Sequence, residues 1–502
     1  MTHQNLDLRV WLEQMAELGE LATVDQPVDP DEEMGAITYL LGRTPGMPAV
    51  HFTHPRHPGV GTTQYGARHL WNPIGGSWKR VALTLGLPPE SAPLEVIRDL
   101  KGKLGRRIPP TVLPADQAPV LQNSLTGDQV DLTQWPFPKH WPQDGGRYAG
   151  TYDIAMCRGY DGGPVNVGTY RMMVHGPRET GIMIASGTDT WAHMQAAWAR
   201  GEPLQIAAAW GVHPLFIAVG GSNFPIEVSE YEFLGGLLGQ PVATTTAPLT
   251  GLTIPAFAEF VVEGEIAPGA FREEGPFGEY TAYYSEKEER FPVVTVKAVH
   301  FRDKPVFTNA LLGFPPSNEE QTFDSAMRAA RIWSELDLLG AKGVTGVYCP
   351  PSAAAGWGMT VVSVKQRFPG HAKQILTLAG NVPGGSHYTK WVILVDDDVD
   401  PSSLEEVTWA MAVRCPPAQR IMIEQGTWNN TLDPAMDPSR SRLVSSRAFI
   451  DATKDFEYGN DYRRCLISKA MYEQVAQRWS ELGLSGPVPP GGLFDGDDAI
   501  GP

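Results

Sequence analysis

Cysteine is scarce in this chain: four in 502 residues, Cys157, Cys349, Cys415 and Cys465, with no C-x-x-C pair and no neighbouring histidine tract. A disulfide framework and a structural zinc site are both excluded. No apolar run reaches 18 residues, so no membrane-spanning helix is expected. Basic clusters are missing too, and 40 Lys+Arg against 57 Asp+Glu leave a formal charge of −17. Nucleic acid is therefore not an expected partner, and an anionic substrate needs a local arginine to hold it against the global field. The patterns G-x-x-x-x-G-K-[ST], H-E-x-x-H and G-x-S-x-G do not occur, which removes the P-loop, zincin and α/β-hydrolase readings. The opening "MTHQNLDLRVWLEQMAELGEL" has neither a basic n-region nor an apolar h-region. It reads as an amphipathic helix with Leu8, Trp11, Met15 and Leu18 on one face and Gly19 as its stop, and a cytoplasmic address is the expectation.

What is present is the composition of a globular protein, 42% hydrophobic and 19% charged. At about 150 residues per domain the length suggests two to four domains. Helical patterns broken by Pro and Gly predict a small α/β region over 1–110. Short strand signals then dominate: "YDIAMCRGY", "NVGTYRMMVHG", "TGIMIASGT", "LQIAAAWG", "LFIAVGG", "FAEFVVEGEI" and "FPVVTVKAVHF" predict a sheet-rich barrel or sandwich over 111–316. A linker helix over 317–340 begins at a cap-like Ser317. Strands alternating with helices predict an α/β domain over 341–455. A last amphipathic helix over 456–485 carries Ile467, Met471, Val475, Trp479 and Leu482, a stripe that suits packing on another subunit. The tail 486–502 has a disordered composition.

"REEGPFGEYTAYY", 272–284, sets Glu274 and Glu279 at the ends of Gly275-Pro276-Phe277-Gly278. A Pro-Phe turn between two glycines folds the chain back and can bring the carboxylates close, where both cannot ionise easily; Phe277 and Tyr280 would help exclude water from the retained proton. A solvated hairpin tip with ordinary surface glutamates is the alternative. In "NVGTYR", Asn166, Gly168 and Thr169 offer polar atoms and close backbone approach, and Arg171 a fork for a carboxylate. "SEYEFLGGLLG" places Glu230 and Glu232 at a helix start, which suits either a metal-bridged phosphate or ordinary first-turn helix chemistry. "GVGTTQYG", 59–66, reads as a surface loop, and "VDDDVD", 395–400, as a strand end running into solvent rather than a cation site. The aromatics of "WPFPKHWPQ" read as core.

In this order the motifs resemble the UbiD family of decarboxylases, which use prenylated FMN. "LRVWLEQMAELGELATVDQPVDPDEEMGAI", "NVGTYR", "SEYEFLGGLLG", "EEGPFGEYTAYY", "KAVHFRDKPVF", "GFPPSNEE", "KWVILVDDDVD" and "FIDATKD" are all similar to family signatures, spanning nearly the whole chain. The resemblance implies an α+β, multi-domain fold with a central split β-barrel that binds the flavin, an N-terminal α/β region, and a C-terminal α/β domain ending in an oligomerisation helix. Asn166 and Glu230 correspond to ligands of a divalent metal, manganese or magnesium, that bridges to the cofactor phosphate, with potassium nearby. Cofactor contacts are implied along Asn166, Val167, Gly168, Thr169, Tyr170 and Arg171, with Gly187, Thr188 and Glu230. Some relatives supply a histidine ligand at a position that falls here at Thr188 or Asp189; His193 lies a few residues on. Arg171, Glu274 and Glu279 match the catalytic Glu-Arg-Glu network.

The activity so implied is non-oxidative decarboxylation, or its reverse, of an aromatic, heteroaromatic or α,β-unsaturated carboxylic acid through a covalent adduct with prenylated FMN. Arg171 would hold the carboxylate and Glu279 would donate the proton. Trp428 and Leu432, in "QGTWNNTLDPAMDP", are expected in the substrate pocket. A flavin prenyltransferase would supply the cofactor, and the chain would assemble as a homodimer or a hexamer. A glycoside hydrolase with a carboxylate pair, and a non-catalytic assembly subunit with a vestigial flavin site, are the alternatives.

Overall fold

A computed structural model describes residues 6–44, 46–57, 61–62, 65–159, 162–222, 228–285, 289–313, 319–436, 444–458 and 463–497. Ser317, and residues 59, 60, 63 and 64 of the glycine-rich stretch, lie outside them. Two compact units divide the chain, Met1–Met327 and Arg328–Pro502.

In the first unit the opening helix spans Leu8–Glu17, capped by the Asp7 side chain, which accepts from the Arg9 amide at 2.9 Å. Leu8, Trp11, Leu12 and Met15 are buried, packing with Ala49, Leu70, Leu83 and Val306. Leu18, expected on the same face, is 39% exposed, because the helix has ended and Gly19, at φ +69°, turns the chain away. This helix covers a four-stranded mixed sheet whose order is Leu21–Val24, Ala49–Phe52, Arg68–Trp71 and Val306–Asn309.

The central sheet has ten antiparallel strands. Its main path runs Val165–Gly168, Ile154–Arg158, Leu204–Trp210, Phe260–Ile266, Glu289–Phe301, Glu179–Gly181, Met172–Gly176 and Tyr148–Gly150, with Phe271–Glu274 and Asn123–Thr126 also pairing on the 13-residue strand Glu289–Phe301. Val165–Gly168 and Met172–Gly176 are neighbours in sequence yet lie toward opposite ends of this path. Three residues, Thr169 to Arg171, can join them only if the sheet curls until its ends face each other, and the result is a curled half-barrel, the expected split barrel. A register shift at Glu263/Gly264 assists the bend, at a point where a Cβ on Gly264 would lie 2.3 Å from the Thr295 carbonyl.

Edge-to-face rings fill the interior: Trp135 meets Phe260 at 4.8 Å and Phe301 at 5.1 Å, and Phe137 meets Phe307 at 5.0 Å. Truncating one such buried ring typically costs about 3–5 kcal/mol. Trp135 and Phe137 are thus core, as expected, whereas Trp141 is not and borders a cavity. "LFIAVGG" is not a strand but the helix Pro214–Gly220. Pro214 presets its first turn, and the His213 ring caps it by accepting from Leu215; a wholly apolar run carries no periodicity to tell a buried helix from a buried strand.

The second unit is a five-stranded sheet ordered Val344–Tyr348, Met359–Val364, Trp391–Asp396, Val444–Ala452, Ile421–Trp428, with parallel central pairs. The linker helix spans Glu319–Leu338 and crosses from the first unit into this one. "VDDDVD" runs into solvent only in part: Asp397 and Asp400 are exposed, but Asp396 and Asp398 are buried, and Arg414 binds Asp398 through two nitrogens at 2.8 and 2.7 Å, with Lys454 at 3.2 Å. Those two buried acids are thereby neutralised inside the protein. The last helix is Lys469–Gln477, and Ile467, Met471, Val475 and Leu482 are exposed. Beyond it, Phe494 returns to the Tyr472 ring at 5.4 Å. Among the described residues no helix is long and apolar enough to cross a membrane.

Candidate active site

Arg171 closes the connection across the mouth of the curled sheet, so its guanidinium points back among the strands. Nε donates to Glu274 Oε1 at 2.7 Å and Nη1 donates to Glu279 Oε1. The three side chains are at most 8% exposed. Burial works against the arginine's charge, but Glu279 and then Glu274 carry its pKa above the ordinary guanidinium value. Neither ion pair uses Nη2.

Glu274 ends the strand Phe271–Glu274, and the chain then reverses through Gly275, at φ +96°, and a cis Gly275–Pro276 peptide. The reversal requires bare backbone on both sides. A Cβ on Gly145 would sit 2.1 Å from the Gly275 carbonyl, and one on Gly278 2.2 Å from Trp141 Cδ1. Buried Asp144 fastens the turn: Gly278 N donates to Oδ1 at 3.0 Å, and His140 N and Trp141 N donate to Oδ2 at 3.2 and 2.9 Å. Burial pushes its pKa up to about 6 despite those donors. Phe277 is buried with its ring 4.9 Å from the Arg171 guanidinium and 4.5 Å from the Tyr148 ring. The Tyr148 hydroxyl has no partner among the described residues, and burial followed by the charge of Glu274 raises its pKa. The turn is therefore interior, and the solvated-hairpin alternative does not hold for Phe277 or either glutamate. Tyr283 and Tyr284, by contrast, are exposed.

A cavity of about 310 Å³ opens beside the turn, lined by Tyr39, Trp141, Glu279, Ala282, Tyr283 and Leu312 among others. Glu279 lines it; Arg171 and Glu274 do not. Two similar carboxylates are thus separated by environment, one facing the cavity and one enclosed.

A second cluster gathers where Val165–Gly168 meets two helix starts. Val167 N donates to Glu230 Oε2 at 3.2 Å, and Glu230 opens the helix Glu230–Leu238. Burial pushes the Glu230 carboxyl up to about 7, its own amide and that of Val167 pulling it down and Asp189 adding to the rise. Two acids lie together there with backbone amides as donors. Asn166 Nδ2 donates to Thr190 Oγ1 at 2.8 Å, and Tyr170 Oη donates to the same atom at 2.9 Å. Gly168 has no room for a side chain, since a Cβ would lie 2.5 Å from Tyr170 Oη. Gly187, at φ +93°, turns into the helix Asp189–Ala199, and Thr188 caps it by accepting from Trp191 N at 3.3 Å. Thr188 is thus committed to the cap, and Asp189 is the acid beside Glu230. Among the described residues no group of three His, Cys, Asp or Glu forms a metal centre. Asn166, Glu230 and Asp189 still fit a hard cation whose remaining ligands are oxygens of other molecules, because a buried carboxylate beside a second acid calls for positive charge.

Trp428 and Leu432 belong to the second unit. Trp428 is exposed and its ring meets His387 at 4.4 Å; Leu432 is half-buried. Sequence reasoning missed Asp144, Tyr148 and Thr190, each a single polar side chain in an otherwise ordinary strand, loop or helix.

Known proteins resemble the chain along its length. Family models of the 3-octaprenyl-4-hydroxybenzoate carboxy-lyase match in three parts: the N-terminal domain over 12–100, the Rift-related domain over 111–315 and the C-terminal domain over 321–452. A phenolic acid decarboxylase of Streptomyces sp. (strain D7) is 33% identical over 454 residues, 89% of this chain and 92% of the relative. A pyrrole-2-carboxylic acid decarboxylase of Pseudomonas aeruginosa is 31% identical, covering 96% of this chain and 99% of the relative. The solved structure of the UbiD-class enzyme HmfF from Pelotomaculum thermopropionicum in complex with FMN superposes with a TM-score of 0.81 at 29% identity, covering 92% of this chain and 97% of that one.

Proposed function

The chain belongs to the UbiD family of carboxy-lyases, and from that premise we propose that it decarboxylates a small aromatic or heteroaromatic carboxylic acid with prenylated FMN as its cofactor. Loss of CO2 from such an acid leaves an electron pair in an sp² orbital with no internal sink, and the prenylated flavin, when bound, supplies that sink. The chain's own residues bind, orient and protonate. Arg171 Nη2, outside both ion pairs, takes the substrate carboxylate. Arg171 with two ionised carboxylates would carry a net negative charge in a buried place, so one shared proton is favoured. Glu279 holds that proton, because it lines the cavity while Glu274 is enclosed on Arg171. Glu279 then delivers it to the carbon that loses CO2. Phe277 and Phe291, with rings 4.9 and 5.3 Å from the guanidinium, keep water from the pair. A glycoside hydrolase has no use for an arginine bonded to both carboxylates.

For the cofactor, the Asn166 side-chain oxygen, the Glu230 carboxylate and Asp189 would hold Mn2+ or Mg2+, which would neutralise the flavin phosphate, with K+ as a further counter-ion. The backbone from Val167 to Arg171, with Gly187 and Thr188, would border the flavin. A flavin prenyltransferase supplies it. The exposed Ile467, Met471 and Val475 support self-assembly as a dimer or hexamer.

The observation that carries this reading is the division of the two glutamates, one on the cavity and one off it, by a shared Arg171. Protein co-expressed with a flavin prenyltransferase is expected to be coloured, to contain prenylated FMN by mass spectrometry, and to release CO2 from members of a phenolic and pyrrole carboxylate panel. Glu279→Gln is expected to reduce turnover at least about 10²-fold while retaining the flavin. Colourless protein that releases no CO2 from any acid would sink the proposal.

A further inference from the structure

The face of Glu274 turned away from Arg171 meets a histidine that the mechanism above does not use. Glu274 Oε1 is taken by Arg171, and Oε2 lies against the bare face of Gly181. A Cβ built on Gly181 would be 2.7 Å from Glu274 Oε2 and 3.0 Å from His175 Nε2, so both atoms converge on one spot that only glycine leaves open. Three strands make the convergence: Met172–Gly176 carries His175, Glu179–Gly181 pairs with it through a register shift between Val174 and Gly176, and Phe271–Glu274 brings the glutamate. His175 Nε2 is shut off from solvent and has no hydrogen-bond partner among the described residues. A buried ring nitrogen left unmatched is costly, so the fold favours a partner at this spot.

The other side of His175 is open. Its ring lines a solvent-facing cavity of about 440 Å³ with Phe271, Arg272, Glu273 and Arg290, separate in its lining residues from the cavity that Glu279 borders. The charged groups around the ring are Glu179 and Arg272, which pair with each other, then Glu273 and Arg290 on the cavity wall and Glu274 within. Burial and then Arg272 hold the imidazole below its ordinary pKa while Glu179 pulls it up. The ring is accordingly neutral near pH 7 and able to carry its single hydrogen on Nε2.

We propose that His175 is a positioning residue for the decarboxylation: its Nε2–H, bridged by one water, is directed at Glu274 Oε2, fixes that carboxylate with Oε1 on Arg171, and so keeps the exchangeable proton on Glu279. The proposal rests on the reading of Glu279 as proton donor, and it extends the site from three residues to a four-member line, His175, Glu274, Arg171 and Glu279. Hydrogen-bond support of this kind is typically worth 10–100-fold in activity.

Two arms test it. The first needs neither cofactor nor turnover: the His175 imidazole is followed by nitrogen-15 NMR in apo protein and in the Glu274→Gln variant. Removal of the adjacent carboxylate is expected to lower the His175 pKa, and an unchanged titration overturns the proposal even if the enzyme decarboxylates as described. The second uses flavin-loaded enzyme. His175→Ala is expected to lower kcat about 10-fold or more with KM and the flavin spectrum little changed, and added imidazole, entering by the open cavity, restores part of it. His175→Gln keeps a side-chain N–H donor and is expected to retain most of kcat while losing the wild-type pH limb that belongs to the imidazole. Wild-type kcat and pH profile in both variants would refute the assignment. If loaded wild-type enzyme releases no CO2 from any acid, the decarboxylase reading fails by itself, and the NMR arm still decides whether His175 faces Glu274.

Discussion

The Arg171 guanidinium lies 4.9 Å from the centre of the Phe277 ring, so the residue at the middle of the turn that separates the two glutamates is also the floor under the cation that joins them. One ring thereby sets both the spacing of the acids and the seat of the base. Phe277→Leu keeps an apolar side chain but removes the aromatic face, and the combined loss of ring packing and cation–π attraction amounts to about 1–3 kcal/mol. Chemical denaturation is expected to report a loss of that size. Turnover should fall by more than the loss of folded protein explains, since Arg171 is left free to tilt. A variant with lowered stability and unaltered kcat would show that Phe277 serves the fold alone.

Removing the cation itself has a different signature. Arg171→Ala leaves two buried carboxylates without their partner, a loss of about 3–5 kcal/mol at neutral pH. Without the arginine, burial raises the folded-state pKa of these carboxylates above the unfolded value. The native state then favours the protonated form, and stability is present at low pH and lost as pH rises through the raised pKa. Urea unfolding is therefore expected to show a deficit against wild type that is large at pH 7 and much smaller at pH 5. Adding Glu274→Gln to Arg171→Ala should recover part of the deficit at pH 7. A deficit independent of pH would mean that lost packing, not stranded charge, is the cause.

The chemistry-bearing pieces of this site were legible in the sequence because each sits in a short motif whose residue types are costly to bury without purpose: an arginine after a strand, two glutamates about a Gly-Pro-Phe-Gly turn, a glutamate opening a helix. Their convergence was not legible. Nothing local says that Val165–Gly168 and Met172–Gly176 stand toward opposite ends of one sheet path, and it is that closure which aims Arg171 at Glu274 and Glu279. Asp144 escaped notice because a carboxylate in "WPQDGG" reads as a loop acid, and its work of fastening Gly278 is a contact across 134 positions of sequence. "LFIAVGG" failed for the opposite reason: its uniform apolarity suits any buried element, and only Pro214 and the His213 cap decide for a helix. In "VDDDVD" exposure was read rightly for Asp397 and Asp400 and wrongly for Asp396 and Asp398, whose charge Arg414 and Lys454 meet inside the fold.

The Asn166 and Glu230 cluster supplies a prediction about metal. A buried carboxylate beside a second acid is a poor resting state unless a cation arrives, so Mn2+ is expected to bind apo protein more tightly when FMN is present, each supplying what the other lacks. Titration calorimetry with Mn2+ and FMN should show this mutual gain. Glu230→Gln is expected to weaken Mn2+ by about tenfold or more, the equivalent of some 1.4 kcal/mol. Chelation should release flavin from wild-type protein. Equal Mn2+ affinity in the variant would remove Glu230 from the ligand set.

Asp144 gives the sharpest pH test, because its three backbone donors make its position unambiguous. Its pKa rises from 3.8 in the unfolded chain to about 6 in the fold, burial being the cause. A folded pKa above the unfolded one means that the native state binds the proton more tightly, so this group's contribution is fully present below about pH 4 and is lost as pH climbs through 6. Asp144→Asn removes the titration while keeping the shape. The amide has one acceptor where the carboxylate has two, so either Gly278 or the His140 and Trp141 amides go unmatched, at about 1–3 kcal/mol at every pH. The variant is thus expected to be clearly less stable than wild type at pH 4, with the gap closing by about 2 kcal/mol at pH 7 as the wild-type carboxylate is forced to ionise. Urea unfolding of both proteins at the two pH values measures that closure. A gap that stays constant would show Asp144 to be ionised throughout, and the turn would then owe its place to the glycine contacts with Gly145 and Trp141 rather than to a strained acid.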